Sequence, residues 1–275
     1  MAERSGTEDV AAQETSQGLK RPVVSRHSKA SIVSMAVLSM GLAAAFHEGL
    51  GHGVTAWVRG DQVTELTSNH LSAMIADRLV DAGGTIVNLI LAALCLWGYR
   101  MARERANLRY FFWLFGAVNL MEGAGYFCYS GVFGVGDWAA FIDGWPNQIL
   151  LRVIMSVFGL AFYIFSVRLI VRDAQPFMAT DSEFNTVSRL PYFAACIFYC
   201  IAGAFDPLGI QLLFLSTIPA AFGGLSGFLW GDKYVRRTVP EKPLAVAPNR
   251  ALWVTAAVFG VAFVVILGRG IEFRH

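Results

Sequence analysis

Residues Ser31–Val58 read SIVSMAVLSMGLAAAFHEGLGHGVTAWV. About 20 mostly apolar residues, rising 1.5 Å each, carry a helix across the hydrocarbon layer of a bilayer. The stretch is longer than that and reads as a transmembrane helix. It also holds three ionisable side chains, His47, Glu48 and His52, among Ala, Gly, Leu, Phe and Val. Such groups are costly inside a membrane, so each is a candidate site residue with a partner to be found.

Outward from this helix, six further segments meet the same criterion, at approximately 79–101, 109–130, 147–171, 190–205, 208–230 and 251–268. The expected fold class is all-α, a polytopic transmembrane bundle of about 6–7 spans. The count turns on 190–205 and 208–230. Only Asp206-Pro207 separates them, a tight-turn and helix-start signal that suits either two thin spans or one re-entrant hairpin. Pro219 is expected to kink the sixth segment, and Gly223 and Gly227 have the spacing of a helix-packing face.

With 275 residues and 55% hydrophobic content, the chain carries more apolar surface than a soluble core of this size can bury. The lipid bilayer is its first partner. Residues 1–29 are instead rich in Ser, Thr, Gln, Glu and Lys and read as a disordered tail rather than a signal peptide. The membrane domain is 30–275, with the chemistry concentrated in about 31–145. A balance of 22 basic against 20 acidic residues excludes nucleic acid as a partner. Of the 22 Lys and Arg, 17 fall in the tail and alternate loops and 5 in the intervening ones. This asymmetry predicts an integral protein of the cell (plasma or inner) membrane with a cytoplasmic N-terminus, and puts the His-Glu cluster toward the outer side. No internal repeat is present to suggest a transporter of matched halves. Cys95, Cys128, Cys196 and Cys200 all lie in apolar segments, where buried packing is the expected role.

H-E-x-x-H on a helix puts two imidazoles on one face to hold zinc, with the Glu as general base. Here the second His is one residue further on. Positions five apart on a regular helix diverge by roughly 140°, so His47 and His52 do not converge unless a π-bulge realigns them. Gly49 and Gly51 lie where such a bulge is needed. Alternatively, Glu48 and His52, four apart, are themselves ligands with His47 behind them, or the three form a hydrogen-bonded polar knot without metal. A third zinc ligand is expected from the outer end of the third helix or the Gly-rich stretch after it. Asp137 is the first choice and Glu122 the second, although Asp137 also suits an N-cap. Asn119 suits interhelical hydrogen bonding or an oxyanion contact. Arg152 reads as snorkelling to the interface rather than pairing with Asp137 or Asp143. The 61–77 segment, with Val63 and Leu66 among polar residues, reads as a short β-structure over the site, and His70 within it as solvent-exposed.

Phe46-His-Glu-Gly-Leu-Gly-His-Gly-Val-Thr-Ala-Trp-Val-Arg-Gly60, Gly83-Gly-Thr-Ile-Val-Asn88, and Asn119 with a downstream carboxylate together resemble the site-2 protease family of intramembrane zinc metallopeptidases. The likeness covers about 31–145 and the first motif carries one added residue. It implies a zinc-dependent peptidase acting on a membrane-protein substrate, with His47, His52 and Asp137 as metal ligands, Glu48 as catalytic base, and Asn88 and Asn119 near the site. The alternative is a non-enzymatic membrane protein, a metal-binding scaffold or transporter, using the same cluster.

Overall fold

The computed structural model describes residues 27–178, 181–235 and 242–273. The expected tail therefore lies outside the described residues as far as position 26. Its last residues are folded: His27 Nε2 donates to the Phe177 carbonyl at 2.9 Å, and the Ser28 hydroxyl caps the first helix by accepting from Ser31 N at 3.3 Å. His27 and Ser28 thus pack against the bundle at the end of the expected tail.

The protein is an all-α membrane bundle with a small sheet at one end. Helix α1 spans Lys29–Val58 and is followed by strands β1 (Val63–Leu66) and β2 (Leu71–Ala73). Next come α2 (Arg78–Met101), α3 (Ala106–Phe133) and the short α4 (Asp137–Phe141). Helices α5 (Gln148–Phe177), α6 (Asn185–Gly203), α7 (Ile210–Tyr234) and α8 (Arg250–Ile266) complete the bundle, and β3 (Ile271–Glu272) closes the described chain. Among the described residues five helices, α1, α2, α5, α6 and α7, are long and apolar enough to cross a membrane. Their outer faces carry bare Leu, Ile, Val and Phe, as contact with lipid requires.

Helix α3 is the central post. It carries Asn119 and Glu122 and packs between α2 and α5, so the bundle rather than lipid surrounds most of it. Close crossings depend on missing side chains. A Cβ on Gly159 would overlap the Cys128 backbone, and one on Gly131 would stand 2.6 Å from the Arg152 carbonyl. Buried polar tips find backbone acceptors: Tyr110 donates to the Val187 carbonyl at 2.7 Å and Trp113 Nε1 to that of Ile170 at 2.8 Å. Cys196 lies in the core beside the Ala221 carbonyl, and all four cysteines are free thiols.

The 190–230 region runs out and back. Asp206, in the turn between α6 and α7, contacts His70 at one end of the bundle, while Arg189 pairs with Asp232 at 2.9 Å at the other. Around Pro219, α7 is π-helical over Leu213–Thr217 and Pro219–Gly224, as the missing proline N–H leads one to expect. Gly227 packs tightly, since a Cβ there would overlap Val167, but nothing lies within 4 Å of a Cβ on Gly223. Only half of the expected packing face is used for packing; Gly223 faces a cavity.

In the sheet β1 is central, with β2 and β3 antiparallel on either side, Leu66 opposite Leu71 on one edge and Ile271 on the other. The Asp61 carboxylate accepts from the backbone N–H groups of Gln62 and Ile75 at 2.7 and 3.1 Å, closing the hairpin's base.

Candidate metal centre

The decisive local feature is the middle of α1. From Phe46 to Val54 the helix is π-type, in which hydrogen bonds run from i to i+5. Residues five apart then lie on one side of the helix, and the rings of His47 and His52 meet edge to face, with centroids 4.9 Å apart and planes at 74°. Gly51 has a further reason to lack a side chain: a Cβ there would stand 2.5 Å from the Gly84 Cα, where α1 crosses α2 backbone to backbone.

Asp137 arrives from the opposite side. After α3 the chain reverses through Gly134 (φ 68°) and Gly136 (φ 82°, ψ −177°), the second in a region essentially closed to residues with a Cβ. Arg152 holds that corner by donating to the Gly131 and Val132 carbonyls at 3.0 and 2.8 Å. It is a cap for the end of α3, neither snorkelling nor paired with Asp137. Trp138 Nε1 donates to Thr85 Oγ1 at 3.0 Å and pins α4 to α2. Gly136 takes the N-cap position, which leaves the Asp137 side chain free to turn inward.

The three side chains meet at single atoms. His47 Nε2 and His52 Nε2 are 3.2 Å apart, and Asp137 Oδ2 is 3.3 Å from each. Four ligands at about 2.0–2.1 Å around tetrahedral zinc stand about 3.3–3.4 Å from one another, so this triangle has the edge length of a zinc tetrahedron. The far ring nitrogens are already engaged. His52 Nδ1 lies 2.6 Å from the Val80 carbonyl, which can only accept, and His47 Nδ1 lies 2.8 Å from Asn88 Oδ1. With both Nδ1 atoms donating, both Nε2 atoms turn lone pairs toward each other and toward a carboxylate oxygen, an arrangement that repels unless a proton or a metal ion lies between them. Asp137 Oδ1 accepts from Tyr126 OH at 3.2 Å, while its buried Oδ2 has no hydrogen-bond partner. A Cβ on Gly84 would overlap His47 Nε2 and stand 2.6 Å from His52 Nε2, so this glycine keeps the space clear. His47, His52 and Asp137 form a group able to hold a metal ion.

Glu48 is buried beside the triangle, with one carboxylate oxygen 4.0 Å from His52 Nε2. It and His52 line a cavity of about 1070 Å³ bounded by β2, α3, α5 and α7. Other expected residues lie elsewhere. Glu122 is one helical turn from Tyr126 and belongs to the cavity wall, not the triangle. Asn119 bonds neither a neighbouring helix nor the cavity: its Nδ2 donates to the Phe115 carbonyl of its own helix at 2.8 Å. His70 is half-buried rather than exposed, held between Glu65 and Asp206. The Val80 carbonyl and the Trp138–Thr85 pair were not legible in the sequence, since neither residue type at that spacing signals a role.

No family model, no characterised protein and no solved structure matches the chain.

Proposed function

We propose that this chain is a membrane-embedded, zinc-dependent peptidase of the kind its sequence resembles, the site-2 protease family, acting on membrane-protein segments. The observation that carries the reading is the triangle of His47 Nε2, His52 Nε2 and Asp137 Oδ2, 3.2–3.3 Å on each side with both Nδ1 atoms tied back. Zinc held there supplies Lewis acidity, lowering the pKa of a water toward neutrality and polarising a carbonyl. Glu48, buried at the edge of the triangle, would serve as the general base, its carboxylate holding a proton taken from water and giving it to the leaving amine. One wall of the cavity is β2, an edge strand whose outer side has no strand partner among the described residues. An open strand edge suits an extended peptide, which bonds through its backbone. By the distribution of Lys and Arg, the protein resides in the plasma or inner membrane with its N-terminus cytoplasmic and its site toward the opposite half.

Glu48→Gln tests the catalytic assignment. With purified protein and a panel of fluorogenic single-span peptides, turnover is expected to fall about 100-fold or more while zinc content is unchanged. Wild-type protein that purifies without zinc and cannot be loaded with it, or a Gln variant that cleaves normally, refutes the reading.

A further inference from the structure

The cavity that begins at the metal-binding triangle does not end there. It extends along α3 to Glu122, four residues and about 6 Å of helix rise before Tyr126. Glu122 Oε1 is buried and has no hydrogen-bond partner. No Lys or Arg lines the cavity among the described residues, whereas Glu48, Asp77, Asp81, Glu122 and Asp137 do. Asp77 is matched by Arg59 at 2.7 Å; Glu122 has no such counter-charge in the cavity wall. The opposite wall makes room for its carboxyl, since a Cβ on Gly224 would stand 3.0 Å from Oε1, and a Cβ on neighbouring Gly223 would meet nothing within 4 Å. Around it the lining is apolar or aromatic, with Leu160, Tyr163, Leu212 and Pro219. An orphaned carboxyl in a roomy apolar chamber is expensive unless a donor from outside completes it.

We propose that Glu122 is the specificity-determining residue of an inner subsite that receives a primary amine or guanidinium carried on an apolar chain. On the peptidase reading, on which the name of the substrate class rests, the occupant is a Lys or Arg side chain of the membrane-protein substrate. Its stem lies against the apolar lining while its backbone passes the triangle. The carboxyl supplies the charge-assisted hydrogen bond, and Gly223 and Gly224 leave the volume for the cationic head.

The test uses 4-phenylbutylamine and 4-phenylbutanol as probes of equal length, with binding to the full-length protein in nanodiscs followed by calorimetry and zinc content measured in parallel. Wild type is expected to bind the amine at least about 10-fold more tightly than the alcohol, the size of one charge-assisted hydrogen bond. Glu122→Gln removes that preference and leaves zinc content unchanged. Gly224→Ala, which keeps the carboxyl but crowds it, reduces the preference in the same direction. A general loss of structure would weaken both probes alike, so the amine-to-alcohol ratio isolates recognition. Equal affinities in wild type, or a preference that survives Glu122→Gln, overturn the proposal. Absence of zinc or of peptide cleavage would defeat the peptidase reading and leave this ratio untouched.

Discussion

Imidazole meets carboxylate twice at the same end of this molecule, and the two meetings differ in what faces the ring nitrogens. At His47, His52 and Asp137 the Nδ1 atoms are held by oxygen acceptors and both Nε2 atoms converge on one carboxylate oxygen, 3.3 Å from each. At His70 both nitrogens face oxygen: Nδ1 lies 2.9 Å from Thr67 Oγ1 and 3.4 Å from Asp206 Oδ2, and Nε2 lies 3.2 Å from Glu65 Oε2. In the first cluster two imidazoles share one carboxylate oxygen; in the second a single imidazole bridges two carboxylates. Residue composition is nearly the same, so it is the acceptors behind the rings, Val80 and Asn88 in one case and Glu65 in the other, that separate a group able to hold a metal ion from a clamp.

Removing ligands should break the comparison most sharply. His47→Ala, His52→Ala and Asp137→Ala are each expected to purify with almost no zinc, whereas His70→Ala keeps the wild-type content, by elemental analysis of protein in detergent. Two imidazoles and one carboxylate are the minimum set of protein ligands for a catalytic zinc, and each loss leaves two. Equal zinc in the His52 and His70 variants would erase the distinction.

Next in size is Gly84→Ala. Its methyl group would lie against both Nε2 atoms, filling the space between the ligands and wedging α1 from α2. Zinc is expected to be lost, together with about 1–3 kcal/mol of stability from overpacking. Gly223→Ala, whose methyl group enters open cavity, should change neither. Asn88→Ala is milder. It frees the His47 ring without touching a ligand atom, and the expected weakening of zinc binding is about 10- to 100-fold, read by competition with a chelator. Unchanged affinity would mean that the π-helical backbone alone orients His47.

Sequence and structure part company at identifiable places. The apolar run of 31–58 and its successors made the bundle legible, because a bilayer leaves helices few alternatives. The five-residue spacing of His47 and His52 defined the alternatives, a π-turn or divergence, but could not choose between them. The choice lies in α2, where Gly83 and Gly84 admit the α1 backbone and Val80 and Asn88 receive the rings. Asp137 was legible as a Gly-flanked carboxylate; the two positive-φ glycines that turn it inward became evident only with the corner that Arg152 holds. The His70 clamp was illegible. Its partner Asp206 lies far away in sequence, in a turn that reads only as helix punctuation, and β3 reaches β1 from the opposite end of the chain.

That clamp yields the smallest effect and the one with a pH signature. Burial draws His70 downward, but its hydrogen bonds to Asp206 and Glu65 outweigh this and leave its pKa above the ordinary imidazole value. For Asp206 burial pushes upward, and the bonds from His70 and from Leu208 N–H overcome it, leaving the carboxyl below its usual value. A raised histidine contributes stability that is complete below its unfolded pKa, about 6.5, and is lost as pH climbs through the folded value. A depressed aspartate contributes stability that is complete above its unfolded pKa, about 3.9, and is lost as pH falls through the folded value. Both contributions are therefore present together from about pH 4 to 6.5. His70→Gln keeps a polar group and removes the charge. Its thermal midpoint should lie below wild type by the equivalent of about 1 kcal/mol in that window, and the gap should close as pH rises above 6.5. The same titration on Asp206→Asn should show the gap closing from both sides, since the variant loses the carboxylate that His70 answers. A gap that widens with rising pH would mean that His70 is held neutral, with its lone pair free, and would make the second cluster resemble the first.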